Sequence, residues 1–537
     1  MRLSVGAVSL NLCLALYFTL VLNLPILSHF YRILSGLPHY DAGFALSIPL
    51  VLLAALNLVF LPFSWRPLQK GFFFVLLLLS SVVSYAMFNY GVIFDATMVQ
   101  NIVETNTGEA SAYLNASVLG WVVLTGLLPG LLLLSVKARP SAKPWHGLAR
   151  RLGSGLVSVL VIGLVAAGYY KDYASVGRNN PHLNREIVPS SYLYSGFRYV
   201  QNTYFSQPQP FVQIGTDAKQ KTTPNAKPSL MILVVGETAR AQNYALNGYP
   251  RPTNPFTQDL GVISFQQVRS CGTATAVSVP CMFSNMTRDN YSDSRAKHQE
   301  GLLDVLQHAG VTLSWRENDG GCKGVCDRIP HEQMPKDDPT LCDGESCHDE
   351  VLLKGLADSL ADPKGNTLVT LHLMGSHGPT YFQRYPDSAR YFTPDCPRSD
   401  IENCSQEALI NTYDNSLRYT DQVLAQLIKT LQGLSDRYDT ALLYLSDHGE
   451  SLGEKGLYLH GTPYAMAPSE QTHVPMIGWF SPAFAQEKSL DLGCLRQEAQ
   501  QGKFSQDNLF HSILGLMDVT TQEYQSQLDL FHPCRLG

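Results

Sequence analysis

Five long apolar stretches near the start of this 537-residue chain constrain its fold more than any other feature. None contains an Asp, Glu, Lys or Arg residue, and they are Leu3–Tyr31, Ala42–Ser64, Gly71–Phe94, Ala110–Val136 and Leu152–Tyr170. Each reaches the roughly 18–20 residues that a helix needs to cross a bilayer. The sequence therefore predicts a transmembrane domain of five helices over residues 1–170. Arg2 before the first stretch also fits a signal peptide, but no clear small-x-small cleavage site follows, so we expect an uncleaved anchor.

Basic residues in the short loops predict the orientation of these helices. They concentrate between the second and third stretches and between the fourth and fifth: Arg66, Lys70, Lys137, Arg139, Lys143, Arg150 and Arg151. Lys and Arg favour the cytoplasmic side of a membrane. We therefore expect a cytoplasmic N-terminus and, after five crossings, a C-terminal domain on the outer side.

Cysteine usage agrees with that compartment. Cys13 lies in the first apolar stretch, and the other ten cysteines follow the last one: Cys271, Cys281, Cys322, Cys326, Cys342, Cys347, Cys396, Cys404, Cys494 and Cys534. An even number in close pairs is typical of disulfides in an oxidising compartment. Sequence order does not fix the pairing; we expect sequential pairs, with Cys494–Cys534 as the long-range bridge. The alternative is a zinc site formed by the four cysteines from Cys322 to Cys347.

The remaining chain divides into a connection and a soluble domain. Residues 171–228 begin with an aromatic-rich segment, which predicts a helix on the outer membrane surface or, alternatively, a segment packed against a domain. The proline-containing stretch 206–228 predicts a linker. Residues 229–537 form the predicted catalytic domain. The net charge of −6 and the absence of a basic tract argue against nucleic acid binding.

Apolar strand patterns alternate with helical patterns in the soluble domain. Ser229–Gly236, Thr367–Leu373 and Thr440–Ser446 predict buried strands, and residues 408–434 predict a long amphipathic helix. Alternating β and α units favour an α/β fold with a mostly parallel sheet.

Polar residues follow three of the predicted strands. Glu237 follows the first, His377 follows another, and Asp447 with His448 follows a third. One such residue is commonly a helix cap or a loop group. Because ligands collect at the carboxyl ends of strands in such sheets, the three together predict one site.

An activatable hydroxyl completes the predicted site. Thr275 lies between the close cysteines Cys271 and Cys281. Glu237, Asp447 and His448 supply the oxygen and nitrogen ligands that zinc accepts, and the Thr275 oxygen can take the fourth position. Coordination would lower the pKa of the hydroxyl and favour a nucleophilic alkoxide.

These motifs resemble the alkaline phosphatase and sulfatase superfamily and, more closely, the lipid A phosphoethanolamine transferases, which include the mobile colistin-resistance enzymes. The segments that carry the resemblance are Val234–Arg240, Ser270–Ser284, Cys322–Asp327, Met374–Pro379, Leu445–Ser451 and Tyr458–Pro463. No Cys-x-Pro-x-Arg segment is present, which argues against a sulfatase.

The resemblance implies roles for individual residues. Thr275 would be the nucleophile that carries phosphoethanolamine, with Thr273 as its rival. Glu237, Asp447 and His448 would bind one tight Zn²⁺, joined by the Thr275 oxygen. Three further residues match positions that hold the phosphate, protonate the leaving group or bind a second, weaker zinc: Lys323, His377 and His460. His473 is a weaker candidate, and a structural role fits it equally well.

A loop after the third apolar stretch fits the family's donor-binding pattern. Asn101, Thr105 and Glu109 fall at i, i+4 and i+8, which is one face if the segment is helical. Glu109 could then receive the ammonium group of ethanolamine. The alternative is an ordinary solvated polar face.

The resemblance implies a zinc-dependent enzyme of the bacterial inner membrane with a periplasmic catalytic domain. Its donor would be phosphatidylethanolamine, its acceptor a lipid A phosphate, and its effect polymyxin and colistin resistance. We expect a monomer among membrane lipids. Alternatives are transfer to lipopolysaccharide core sugars or another periplasmic glycan, a related phosphoglycerol transferase, or a non-catalytic membrane protein. The apparently complete set of metal ligands and nucleophile argues against the last.

Overall fold

The structure is a computed structural model of the full chain. It describes residues 4–36, 39–105, 107–139, 144–180, 182–205, 209–221 and 226–536. The chain forms two compact units, one of residues 1–99 and 114–205 and the other of residues 100–113 and 206–537. Residues 100–113 therefore belong to the second unit, which the sequence boundaries at 170 and 228 do not anticipate.

The first unit is helical. Its helices are α1 (Ala7–Tyr17), α2 (Leu24–Ser35), α3 (Ala42–Phe60), α4 (Arg66–Tyr90), α5 (Ala96–Glu104), α7 (Ala116–Val122), α8 (Leu128–Ser135), α9 (Pro144–Asn179) and α10 (Ser190–Tyr204). Helix α5 continues into the second unit, and α6 (Thr107–Ala112) lies wholly within it. Among the described residues, four helical segments are long and apolar enough to cross a membrane: Ala42–Phe63, Leu68–Tyr90, Ala116–Ser135 and Trp145–Asn179.

The first predicted span is bent. Ala7–Leu22 and Leu24–Ser35 meet at an angle of 57°, so a fifth crossing exists only if this pair is a single span. A π-helical turn over Phe18–Leu22 and Pro25 at the start of α2 interrupt the regular hydrogen-bond ladder here. The apolar pattern predicts one continuous span, although Asn23 and Pro25 lie at the bend.

The connection after the last span contains more helix than the apolar pattern predicts. Helix α9 continues to Asn179 across non-helical backbone at Tyr169. Helix α10 then exposes aromatic side chains, including Tyr194 (65% exposed) and Tyr204 (70% exposed). Such exposure is typical of an interfacial helix.

The second unit contains a mixed seven-stranded sheet in the part of the chain that the structure describes. Its strands are β1 (Ser229–Gly236), β2 (Ile263–Phe265), β3 (Thr312–Glu317), β4 (His331–Gln333), β5 (Thr367–His372), β6 (Asp439–Ser446) and β7 (Met476–Phe480). Their order is β2-β7-β6-β1-β5-β3-β4. The four pairings from β6 to β4 are parallel, whereas β7 pairs antiparallel with both β6 and β2. The predicted α/β class is confirmed.

Helices cover this sheet. They are α11 (Thr275–Met282), α12 (Asp293–Lys297), α13 (Leu302–His308), α14 (Leu356–Ser359), α15 (Gln406–Gly433), α16 (Ser469–Thr472), α17 (Pro482–Glu487), α18 (Leu492–Gln501) and α19 (Asp507–Leu516). All residues of β1, β5 and β6 are buried, which explains why these strands are apolar throughout rather than alternating. The three strands are neighbours in the centre of the sheet, so the residues that directly follow them are held at one edge of it.

Five disulfides join the ten cysteines in the same pairs that sequence order predicts. They are Cys271–Cys281, Cys322–Cys326, Cys342–Cys347, Cys396–Cys404 and Cys494–Cys534. Part of the predicted linker also has defined structure, because Lys219–Gln220 pairs with Val519–Thr520. Two stretches of that linker, 206–208 and 222–225, lie outside the described residues.

Candidate active site

Three neighbouring strands bring their polar ends to one edge of the sheet. Gly236 pairs with Ser446 across β1 and β6, so Glu237 and Asp447 follow at the same level. The loop after β5 is held to the same place, because the Ser376 amide donates to the Glu237 carbonyl oxygen at 3.0 Å. The parallel register thus explains why residues 210 positions apart in sequence meet.

Glu237, Asp447 and His448 form a cluster of possible metal ligands. All three are completely buried. The Nε2 atom of His448 lies 3.3 Å from Oε1 of Glu237 and 3.5 Å from Oδ2 of Asp447. One ligand atom from each of the three lies within 4.8 Å of the other two.

Thr275 faces this cluster from the first position of helix α11. Its Oγ1 lies 3.1 Å from Oε2 of Glu237 and 3.3 Å from Nε2 of His448. The helix N-terminus carries partial positive charge, which favours an anion near this hydroxyl. The rival Thr273 instead donates its hydroxyl to the Thr462 carbonyl oxygen at 2.7 Å. Thr275 therefore has the geometry expected of a nucleophile beside a metal.

Two further predicted histidines lie beside the cluster. The ring centroid of His460 is 4.5 Å from that of His448 and 5.5 Å from that of His377. Nδ1 of His460 also lies 3.4 Å from Oε2 of the buried Glu450. By contrast, Nε2 of His473 lies 2.7 Å from the Gln266 carbonyl oxygen, a contact that suits a structural role.

The charges of the cluster suit a divalent cation. Burial and the neighbouring Glu237 raise the pKa of Asp447 to about 8. Burial lowers the pKa of His448, but Asp447 and Glu237 outweigh it and raise that pKa to about 10. Oδ2 of Asp447 is buried and has no hydrogen-bond partner among the described residues. Two carboxylates and an imidazole, with one oxygen lacking a partner, fit the donor set of zinc.

Lys323 lies in a strained loop next to helix α11, which carries Thr275. Its φ angle of 51° is in the left-handed region, which a lysine rarely adopts, and the Cys322–Cys326 disulfide closes the loop. Lys323 lines a cavity of about 450 Å³ together with Ala276 and Pro280 of α11. A cation in this position can neutralise a phosphate near Thr275.

The predicted donor-binding residues do not share one continuous helix. Helix α5 ends at Glu104 and α6 begins at Thr107; residue 106 and the Glu109 side chain lie outside the described part of the chain. Thr105 Oγ1 donates to the Asn101 carbonyl oxygen at 2.6 Å, and such local bonding competes with helix continuation. The three residues would share one face only in a continuous helix, and α5 ends before Thr105. Their role in donor binding stays a prediction.

Another contact places this segment in the second unit. Lys297 Nζ lies 3.6 Å from Glu104 Oε1 and 3.1 Å from Asp293 Oδ2. Glu104 also lines the cavity that contains Lys323. Glu104, which is close in sequence to the predicted donor-binding residues, thus borders the cavity beside helix α11.

Sequence reasoning missed two buried residues that support the site. Gln506 Nε2 donates to the carbonyl oxygens of Ser446 and Asp447, while its Oε1 accepts from the Cys271 amide. Asp349 accepts from the amides of Met374 and Gly375 at 2.8 and 2.9 Å, in the loop that carries His377. Neither residue belongs to a motif, so only the three-dimensional structure identifies it.

Comparison with known protein families identifies the fold class of the soluble domain. A sulfatase family model matches residues 229–519, which contain the whole sheet and the Thr275 cluster. The predicted alkaline phosphatase and sulfatase-like fold of the soluble domain is confirmed. A second family model, phosphoethanolamine transferase EptA/EptB, matches residues 52–204.

Relatives along the full chain define the family. The chain is 41% identical to phosphoethanolamine transferase EptA of Escherichia coli (strain K12), covering 99% of this chain and 98% of that protein. It is 40% identical to phosphatidylethanolamine transferase Mcr-1 of Escherichia coli, covering 98% and 97%. The chain belongs to the EptA/Mcr-type phosphoethanolamine transferase family, so the prediction of such an enzyme is confirmed.

A solved structure supports the same conclusion across both units. It is the integral membrane protein lipooligosaccharide phosphoethanolamine transferase A (EptA) from Neisseria meningitidis, with a TM-score of 0.95, 37% identity and complete coverage of both chains. Together with the apolar helices, it identifies this chain as a multi-pass membrane protein.

Proposed function

We propose that this chain transfers phosphoethanolamine from phosphatidylethanolamine to a phosphate of lipid A, through a covalent intermediate on Thr275. The position of Thr275 Oγ1, within 3.3 Å of both Glu237 and His448 at a helix N-terminus, carries the proposal. The names of the relatives support the transferred group, and that of the Neisseria enzyme supports a lipooligosaccharide acceptor.

Glu237, Asp447 and His448 would hold one zinc ion with the Thr275 oxygen, and the His377 and His460 side is the place for a second, weaker one. Bound zinc would lower the pKa of the threonine hydroxyl and offset negative charge on the phosphoryl group. The two buried carboxylates support this assignment, since a cation relieves their mutual repulsion.

The first half-reaction moves the group onto the enzyme. Thr275 loses its hydroxyl proton to solvent, its Oγ forms a bond to the phosphorus of the donor, and the bond between phosphorus and the glycerol oxygen breaks. His377 or His460, both in the ring cluster beside His448, would protonate the departing diacylglycerol oxygen. Lys323 would offset the charge of the phosphoryl oxygens.

The second half-reaction releases the group to the acceptor. An oxygen of the lipid A phosphate attacks the phosphorus, the bond to Thr275 Oγ breaks, and the threonine oxygen takes up a proton from solvent. The reaction restores Thr275 and adds an ammonium group to lipid A. Weaker attraction between lipid A and cationic peptides follows, which would give polymyxin and colistin tolerance.

The donor-binding segment is part of the same proposal. Asn101, Thr105 and Glu109 would bind the ethanolamine head group, with the Glu109 carboxylate facing its ammonium. Their place in the second unit supports this role, although α5 and α6 are separate helices.

We further propose that the enzyme is a monomer in the bacterial inner membrane, with its N-terminus in the cytoplasm and its catalytic domain in the periplasm. The domain ranges remain 1–170, 171–228 and 229–537, with five crossings if the bent pair counts as one span. The five disulfides support an oxidising compartment for the catalytic domain.

Mass spectrometry of lipid A tests the acceptor. A Gram-negative host that expresses the chain should carry phosphoethanolamine on lipid A and tolerate polymyxin. A matched host with Thr275→Val, which removes the hydroxyl at nearly constant shape, should show neither effect. Modified core sugars beside unmodified lipid A would contradict the proposed acceptor, and unmodified lipopolysaccharide would contradict the transfer itself.

A further inference from the structure

Three metal-ligating side chains meet in the first unit, outside the site described above. His29 lies on α2, His182 precedes a short 3₁₀ helix, and Glu186 ends that helix. Nδ1 of His29 lies 3.0 Å from each carboxylate oxygen of Glu186. Nε2 of His182 lies 4.0 Å from Oε1 of Glu186. The two imidazole rings are stacked, with centroids 5.4 Å apart.

These spacings are close to those of a metal site. Ligand atoms about 2.0–2.1 Å from a tetrahedral zinc ion lie ~3.3 Å from one another. The distances of 3.0 and 4.0 Å lie on either side of that value, and one ligand atom from each residue lies within 4.8 Å of the other two. Small side-chain rotations would therefore bring all three atoms to coordination distance.

The chemistry of the cluster also favours a cation. The Glu186 side chain is about nine-tenths buried, with 9% exposed, while His29 and His182 keep 34% and 19% exposed. Within the described ranges, the ion pairs of Glu186 are those with the two histidines. Two imidazoles and a carboxylate form a recurrent zinc ligand set, and the exposed side leaves room for water as a fourth ligand.

A separate contact aligns the two segments that supply these ligands. The Asn23 side chain donates to the Val188 carbonyl oxygen at 2.7 Å and accepts from the Val188 amide at 2.8 Å. This pair of hydrogen bonds does not involve either histidine or Glu186. The backbone around the cluster is therefore held in place without the histidines or Glu186. This preorganisation favours metal binding, and it should allow the protein to fold when the histidines are substituted.

We propose that His29, His182 and Glu186 bind a divalent transition-metal ion, with zinc as the preferred ion. This site is separate from the Thr275 cluster and would not take part in phosphoryl transfer. A bound ion would link α2 to the turn that precedes α10, and so stiffen the connection after the last span.

Metal content of the full-length protein in detergent tests the proposal. Zinc is loaded, excess ion is removed by dialysis, and the equivalents per chain are counted by elemental analysis. The His29→Ala/His182→Ala variant should retain one equivalent less than the wild type. His146→Ala, which removes another histidine of the same unit, should retain the wild-type content. Equal content in the double variant and the wild type would overturn the proposal.

A second variant gives a positive signal and does not depend on loss of binding. His29→Cys keeps a zinc-type ligand at this position but replaces nitrogen by sulfur. With cobalt(II) as the probe, the folded variant should show thiolate-to-metal charge-transfer absorption in the near ultraviolet. His146→Cys is the matched control and should not. A folded His29→Cys protein with the spectrum of the control would contradict the site.

Discussion

The side-chain nitrogen of Gln506 lies 2.6 Å from the backbone carbonyl oxygen of Asp447. The same completely buried side chain accepts the Cys271 amide through Oε1 at 2.6 Å. One glutamine thus connects the loop of Asp447 and His448 with the segment that precedes Thr275. Its position implies that it sets the distance between the proposed nucleophile and the proposed metal ligands.

Gln506→Leu should lower kcat about 10- to 100-fold, in the range found for groups that orient metal ligands. Zinc affinity should fall as well, whereas KM for the donor should change less. The exposed Gln527 provides the matched control, and Gln527→Leu should behave as the wild type. A folded Gln506→Leu protein with wild-type kcat and zinc affinity would rule out the positioning role.

Removing the charge of Asp447 should change stability with opposite signs in the presence and absence of zinc. Burial and the Glu237 carboxylate raise the pKa of Asp447 to about 8, so the charged form of Asp447 is unfavourable in the zinc-free protein. Asp447→Asn should therefore raise the melting temperature of the zinc-free protein. With saturating zinc, the same variant should melt below the wild type and be inactive.

Calorimetry of both proteins, with and without zinc, makes this comparison. Chelation should abolish wild-type activity, and added zinc should restore it. An equal stabilisation by zinc of the wild type and Asp447→Asn would show that Asp447 does not bind the ion.

Reversing the charge of Lys297 should weaken donor binding. Lys297→Glu places a negative charge beside Glu104 and Asp293, and so repels the segment that contains the proposed donor-binding residues. We expect KM for the donor to rise about 2- to 5-fold, because an exposed ion pair contributes up to about 1 kcal/mol. Adding Glu104→Lys should restore most of the loss. Kinetics at low and high salt should show a smaller effect at high salt, and a single variant with unchanged KM would contradict the role of this pair.

Acidification should destabilise the catalytic domain through His511. Burial lowers the pKa of this histidine to about 4, below its value of about 6.5 in the unfolded chain. Between these two pKa values the unfolded state binds more protons than the folded state. The contribution of neutral His511 to the free energy of unfolding is therefore fully present above pH 6.5 and is lost as the pH falls to 4. We expect a loss of about 2 kcal/mol at pH 5.

Urea unfolding of the wild type and His511→Asn at pH 7 and pH 5 measures this loss. The variant should lack most of this pH-dependent loss, because asparagine does not titrate. Its side-chain oxygen can accept the hydrogen bond that the Gln525 amide donates to His511 Nδ1 at 3.2 Å. Identical pH dependence of the two proteins would assign the effect to other groups.

Local sequence patterns predicted the parts of this protein that depend on local order. Apolar runs indicated the membrane helices and the buried strands, and Glu237 and Asp447 follow the strands as expected for parallel neighbours. The short, sequential cysteine pairs were predictable for the same reason. The bend after Leu22 was not predicted, because it depends on a π-helical turn inside a segment that is long and free of charged residues.

Contacts between distant segments that no strand end or cysteine marks were not predicted. Gln506 acts on residues 59 to 235 positions away, and its own neighbours in sequence show no motif. His29 and Glu186 are 157 residues apart, so only the fold brings them together. The break between α5 and α6 was missed because residues at i, i+4 and i+8 fit a helix whether or not it is continuous.

The covalent intermediate is the central claim, and intact-protein mass spectrometry tests it most directly. The purified full-length protein is incubated with phosphatidylethanolamine without an acceptor, and the modified peptide is then sequenced. We predict one added phosphoethanolamine on Thr275 of the wild type. The Thr273→Val protein should carry the same adduct, and the Thr275→Val protein should carry none. An adduct on Thr273, or transfer to lipid A by Thr275→Val, would contradict it.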